Sequence, residues 1–341
     1  MNNNHAEIIE EIYTLSSRYS KLSETDIKHL IELKKSLLPN LCLYRYRPIH
    51  DLDRMALNYF LTNEYQLYMS SPKKFNDPYD TWLFAYLESC DHYRDQMVSK
   101  YSHELELARC SKEEFLECTM FNDRIEFEED WDKQFQQFIE DFAAKHKYDM
   151  PDYSQMRNEV KKLIQKKYEA ELDSIGIVCF SSENDSLLLW SYYAEGHTGF
   201  CLEYNLDPEY YSDIKEKERV ERLWKCILPI KYTAEPKSAI DDFADAENLE
   251  DILEIIKRYA TLKSPQWEHE KEWRFITIFE SEYNSDLMLK FLKPSCIYAG
   301  AKMPYYYRFK LQEIGAKMGD IQIRIMERKV NNFELISREA H

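Results

Sequence analysis

IGIVCFSSENDSLLLWSYYAEGHTGFCLEYN, residues 175–205, is the stretch whose texture decides the fold. IGIVCFS and GFCLEYN are short runs of β-branched, aromatic and apolar residues, each the length of a strand. Between them SLLLWSYYAEG has apolar residues at helical spacing. A strand, a short helix and a strand within these 31 residues set the pattern, and it extends in both directions. Upstream, LCLYRY is expected to be a strand, HDLDRMALNYFLTN an amphipathic helix, and EYQLYMS a strand that runs into the turn-rich SPKKFNDPYD. Downstream, CILPIKYTA, EKEWRFITIFE, MLKFLK and CIYAG are expected as strands. A helix is expected over roughly Ala239–Leu262, another in PYYYRFKLQEIGAKM, and a last strand in DIQIRIME.

Two helical regions frame this core. Residues 1–40 have helical periodicity, with Ser23 placed to cap a second helix and Asp26 at its third position. From about residue 81 to 172 the pattern is charged and helical, with no competing strand. The expected architecture is therefore α+β: a mixed or antiparallel central sheet with flanking helices and a large helical insertion. The domain plan is an N-terminal helical segment over 1–40 and a main domain over 41–341, with the insertion at about 81–172.

Composition narrows the function classes. The formal net charge of −17 argues against non-specific duplex binding and against an anionic membrane surface, both of which need clustered cations. Eight cysteines lie far apart with no CxxC pair, which fits reduced thiols in a cytoplasmic protein and no zinc ribbon. Neither a leader nor a membrane-spanning run, which would need about 20 apolar residues, is read from the sequence. With only six glycines, none grouped, both the Walker loop and the GxGxxG fingerprint are excluded.

Three motifs could carry chemistry. In WEHEKEWRF, strand alternation would put Glu270, Glu272 and Arg274 on one face. Two carboxylates beside a guanidinium suit a general base or a stabiliser of positive charge; the structural alternative is a solvated edge strand with a cross-strand ion pair. In YRYRP, Arg45 and Arg47 share one face, with Tyr44 and Tyr46 on the other. Paired guanidinium forks suit phosphate or pyrophosphate, and they suit structural carboxylates equally. FNDPYD is a turn whose Asn76, Asp77 and Asp80 could point into a cleft or serve only the bend. In the central stretch Ser181 ends a strand, Asn184 or Asp185 could cap the helix and leave an anion site at its N-terminus, and Trp190 and Tyr193 share a helical face. His197 lies on a loop between two glycines, as a titratable group or a hydrogen-bonded structural one. Cys179 or Cys201 with His197 is a weaker nucleophile alternative, since both thiols fall inside strands. His197, His269 and nearby carboxylates lack a tight metal-ligand spacing, so no metal is expected.

LYRYRP, SPKKFNDPYD, IVCFS with LLLWSYYAEGHTGFCLEY, IKY and K-x-x-x-W-x-x-E-x-E-W-R (Lys263 to Arg274) together resemble a widespread bacterial domain family of uncharacterised function, sometimes found near phage-defence genes. The resemblance covers about Leu43 to Gly300, interrupted by the helical segment. The family more often has His where Tyr192 stands, and the helices between Thr81 and Leu172 look longer than usual. In its order of parts the chain is also similar to ADP-ribosyltransferase-type folds. That second resemblance implies NAD as substrate, with Arg45 or Arg47 on its phosphates and ribose and Tyr193 or Trp190 near the nicotinamide. Glu270 or Glu272 would stabilise the oxocarbenium-like transition state, the arrangement expected of a preorganised carboxylate.

On this basis Glu270 and Glu272 are the candidate catalytic residues. Arg45, Tyr46, Arg47, Asn76, Asp77, Ser181, Trp190, Tyr193, His197 and Arg274 form the candidate substrate-binding set. The chain would be an NAD-consuming transferase, with a protein or nucleic acid as the ADP-ribose acceptor, or an NAD glycohydrolase, in an anti-phage or toxin-like effector, and Gln at either glutamate should abolish turnover while keeping the fold. Two other readings stand beside this one. A nuclease would hold Mg²⁺ on Asp77, Asp80, Glu270 and Glu272. A non-catalytic sensor would use the same cleft only to bind a nucleotide or partner.

Overall fold

A computed structural model of the chain describes residues 3–16, 22–38, 40–77, 80–81, 175–234, 255–278 and 288–340. Contacts divide the chain into two compact units. One comprises Met1–Thr81, Ser174–Glu235 and Ala260–His341, and the other comprises Trp82–Asp173 and Pro236–Tyr259. The helical insertion expected over about 81–172 lies, but for residue 81, outside the described residues, and so does most of the helix expected over 239–262. Residues 255–259 are helical, and the expected helix stops short of Leu262, which pairs instead as a strand.

The first unit is an α+β fold built on β1 (Cys42–Arg47), β2 (Gln66–Tyr68), β3 (Ile175–Ser181), β4 (Phe200–Asn205), β5 (Ile227–Pro229), β6 (Lys231–Tyr232), β7 (Leu262–Lys263), β8 (Glu272–Ile278), β9 (Met288–Lys290), β10 (Cys296–Ala299), β11 (Gln322–Arg328) and β12 (Leu335–Glu339). Its helices are α1 (Asn3–Ser16), α2 (Glu24–Ser36), α3 (Asp51–Thr62), α4 (Leu187–Tyr192), α5 (Ile214–Cys226) and α6 (Tyr305–Lys317). Eight strands form the main sheet in the order β12-β11-β10-β4-β1-β3-β8-β5, antiparallel except for the parallel β10–β11 pair. Small two-stranded pairings of β2 with β9 and of β6 with β7 flank it.

Strand alternation builds the core on both faces. Leu43, Val178, Phe180, Phe200, Leu202, Trp273 and Ile297 enter one cluster; Cys42, Tyr44, Tyr46, Trp190, Cys201, Cys296 and Tyr298 enter the other. Two elements went unread in the sequence. Helix α5 begins at the Asp213 cap and buries Val220, Leu223 and Trp224, so Cys226 belongs to a helix and CILPIKYTA yields only β5 and β6. Strand β12 pairs with β11 and is the true last strand.

The N-terminal helices belong to this same unit. Ser23 and Asp26 form the reciprocal capping box expected of them. The Tyr13 hydroxyl donates to the Thr261 carbonyl at 2.8 Å and accepts from the Lys231 N–H at 3.1 Å, and Lys34 Nζ donates to the Trp224 carbonyl at 2.9 Å. Among the described residues no helix is long and apolar enough to cross a membrane.

Candidate functional site

The β1–β3 register holds one pair, Tyr44 opposite Ser181. Beyond it the strands part, and Ser70 bridges to Ile177 of β3 instead, exchanging both backbone hydrogen bonds at 2.8 and 2.9 Å. A cavity of about 430 Å³ lies at this parting, lined by Arg45, Arg47, Lys74, Asn76, Cys179, Tyr193, Lys263, Glu270, Glu272 and Arg274 among others. Because β1 and β8 flank β3, the two motif strands run two strand spacings, roughly 10 Å, apart.

The acidic motif is built differently from the continuous strand that alternation predicts. Pro265–Glu270 is a 3-10 helix capped by the Ser264 side chain, Lys271 takes the left-handed conformation (φ 47°), and only then does β8 begin at Glu272. Ser181 Oγ holds the turn by donating to the Glu270 carbonyl at 2.8 Å. The result still puts Glu270, Glu272 and Arg274 on one cavity. The solvated edge-strand alternative fails, since β8 lies between β3 and β5 and these residues are 3, 5 and 1% exposed.

Lys263 (6% exposed) and Asp80 (7%) complete a buried cluster of five charges. Arg274 uses every guanidinium donor. Nη1 and Nη2 grip Asp80 at 2.6 and 2.7 Å, Nε and Nη2 grip Glu272 at 2.7 and 3.1 Å, and Nη1 also reaches the Ala260 carbonyl at 2.7 Å. Lys263 Nζ reaches Glu270 at 2.6 Å, Glu272 at 2.9 Å and Asp80 at 3.5 Å. Burial alone would push the Glu272 carboxyl up, but Arg274 and Lys263 outweigh it and hold the group down at about 2. Glu272 is thus an ionised, saturated carboxylate, its two oxygens shared by two cations.

Glu270 is bound more lightly. Its second oxygen meets Lys263, while its first accepts from the Tyr193 hydroxyl at 2.6 Å. Burial and the Glu270 charge push the Tyr193 phenol well above its ordinary range, so it stays a neutral donor. The Cys179 thiol is likewise driven well up by burial and the Glu272 charge, leaving it an inert thiol on the cavity wall.

The cationic wall is unlike the acidic one. Arg45 shares the β1 face of Leu43, where alternation calls for a core residue, and is 8% exposed. Its Nη2 donates to the Tyr68 carbonyl at 2.9 Å, but Nη1 is buried with no hydrogen-bond partner among the described residues. Burial and the neighbouring Arg47 charge lower its pKa to about 10. Arg47 is paired with Asp51 of α3.

The remaining candidates separate cleanly. Tyr46, Asn76 and Ser181 line the cavity; Asp77, Trp190 and His197 do not. Trp190 is wholly buried, donating to the Asn184 carbonyl and packed edge-on against Tyr46. His197 (φ 72°) is a turn residue whose N–H donates to the Trp190 carbonyl and whose carbonyl accepts from Lys302, and its ring stacks on Trp190. Neither Asn184 nor Asp185 caps α4. Ser186 does, its side chain accepting from the Leu189 N–H, over a helix of only six residues. For the metal reading, Asp80, Glu270 and Glu272 already face Lys263 and Arg274, and the described residues hold no group of three or more His, Cys, Asp or Glu side chains arranged to hold a metal ion.

No curated protein and no solved structure matches the chain. A family model described as "Protein of unknown function (DUF2971)" matches residues 189–275, the span from α4 to β8 that contains Tyr193, Lys263, Glu270, Glu272 and Arg274, in agreement with the motif resemblance to an uncharacterised domain family.

Proposed function

We propose that the cleft binds NAD and breaks its nicotinamide–ribose bond, with Glu270 as the carboxylate that faces the reacting sugar. The observation that supports this most is the pairing, within one cavity, of a buried guanidinium with an unused N–H and a carboxylate fixed by a neutral phenol and an ammonium. A buried donor without a partner costs about 1–3 kcal/mol, more when charged, and a phosphate oxygen at Arg45 Nη1 removes that cost. Arg45 lies on β1 and Glu270 at the end of the 3-10 turn that leads into β8, two strands roughly 10 Å apart, a separation suited to a pyrophosphate at one end and a ribose at the other.

In the reaction the C1′–N bond breaks, its electron pair leaves with nicotinamide, and water or an acceptor hydroxyl adds to C1′ while losing a proton. Positive charge grows on the ribose, and Glu270 opposes it from a dry, preorganised position. Tyr193 and Lys263 act as positioning residues, each holding one Glu270 oxygen. Glu272, saturated by Arg274 and Lys263, maintains the cluster and does not touch the sugar.

Mass spectrometry of purified protein incubated with NAD tests this. Wild type should release nicotinamide, and Glu270→Gln should lower the rate by about a hundred- to ten-thousand-fold while remaining folded. Equal release by the variant, or none by the wild type, removes the catalytic reading. Stabilisation by NAD without release would leave a binding module.

A further inference from the structure

Beside the cleft, sharing Asn76, Tyr192 and Tyr193 with it, is a second cavity of about 440 Å³ whose other walls are Gln266, Trp267 and His269. Ring contacts run around it: Trp267 to His269 at 6.1 Å, His269 to Tyr192 at 6.3 Å, and Tyr192 to Tyr193 at 6.4 Å between centroids. His269 Nδ1 lies 3.0 Å from the Gln266 carbonyl. A carbonyl can only accept, so Nδ1 carries the hydrogen, and in the neutral ring Nε2 is left as an acceptor. That Nε2 is buried and has no hydrogen-bond partner among the described residues. An orphaned buried polar atom calls for an explanation, and a ligand donor is one.

Three features define what would fit. Aromatic faces attract a flat or positively charged group. Tyr193 borders both cavities and donates to Glu270, so the carboxylate adjoins the aromatic space. The unused Nε2 asks for an N–H.

We propose, resting on the function inferred above, that this side cavity is the subsite for the leaving ring: a planar, cationic heteroaromatic bearing a carboxamide, held between Trp267 and Tyr192 with its amide N–H donated to His269 Nε2. His269 then selects the amide over the corresponding carboxylate, which has no N–H to offer.

The test uses two small probes that have no bond to cleave, the 1-methylnicotinamide cation and 1-methylpyridinium-3-carboxylate, titrated calorimetrically into the full chain. Wild type should bind the amide about tenfold more tightly than the carboxylate, the size expected for one lost hydrogen bond to a buried acceptor. In His269→Phe, which keeps a ring in place, that preference should collapse while the circular dichroism spectrum is unchanged, and in Trp267→Leu both probes should bind more weakly. Failure of both probes to bind, or an undiminished preference in His269→Phe, overturns the subsite. Its fate is separable from that of the catalytic reading. Amide-selective binding without NAD cleavage keeps the subsite and discards the reaction; NAD cleavage with an unaltered KM in His269→Phe does the reverse.

Discussion

Two groups of charged side chains line the same cavity and have been solved by opposite means. Around Arg274 every donor is used and the Glu272 oxygens are shared between two cations, so these two side chains have no capacity left for a ligand. At Arg45 a guanidinium as deeply buried as many core residues keeps one nitrogen without a partner among the described residues. The difference teaches that burial of charge does not mark a binding group. Saturated charge holds a fold together, whereas unsaturated charge is kept at a cost that some other interaction must offset.

Substitutions should separate the two groups. The largest effect is expected from Arg274→Met, which strips Asp80 and Glu272 of their shared partner. Losing one member of a buried network costs about 3–5 kcal/mol, to be read from urea unfolding. A loss below about 1 kcal/mol would mean that the cluster is not structural.

Next comes the acid limb of stability. Glu272 is held below its unfolded value, so its contribution is fully present above the ordinary carboxylate range, from about pH 5 upward, and is lost as pH falls toward about 2. That span corresponds to roughly 3 kcal/mol. Glu272→Gln should therefore lower stability at neutral pH and flatten the decline between about pH 5 and 2, measured by denaturant titration at several pH values. This revises the expectation that Gln at either glutamate would spare the fold, because the two glutamates turn out to have unequal surroundings.

Tyr193→Phe should be milder. It removes one hydrogen bond to Glu270, worth about 1 kcal/mol, and leaves Lys263 in place. A drop in NAD turnover larger than that stability change would mark Tyr193 as a positioning residue, and no drop would leave it a packing residue.

Much of this was legible in the sequence. Alternation placed Arg45 and Arg47 on one β1 face, and short runs of β-branched, aromatic and apolar residues located β3, β4, β8 and β10. It brought Glu270 near Glu272 for the wrong reason: a 3-10 turn and a left-handed Lys271, not a continuous strand, put them together. The cluster itself was unreadable, since Asp80 lies 194 residues from Arg274 and only the fold joins them. Lys263 stood in the recognised K-x-x-x-W-x-x-E-x-E-W-R motif without a role, and its spacing from Glu270 could have suggested one. His197, open to a titratable or a hydrogen-bonded structural reading, lies outside the cavity lining. Gly199 is required because a Cβ there would lie 2.2 Å from the Arg47 carbonyl, so close backbone packing accounts for that glycine.

The smallest change in the empty protein, and the sharpest contrast in the presence of ligand, belongs to Arg45→Met. Losing the Tyr68 hydrogen bond and shedding an unpaired buried charge oppose each other, so the unliganded variant should stay within about 1 kcal/mol of wild type. Thermal unfolding of both proteins with and without NAD is the decisive measurement. At a hundredfold excess over its Kd, NAD should stabilise the wild type by about 2.7 kcal/mol and Arg45→Met hardly at all. Equal stabilisation of the two proteins, or of neither, would contradict the assignment of Arg45 as the unsatisfied group that receives the ligand.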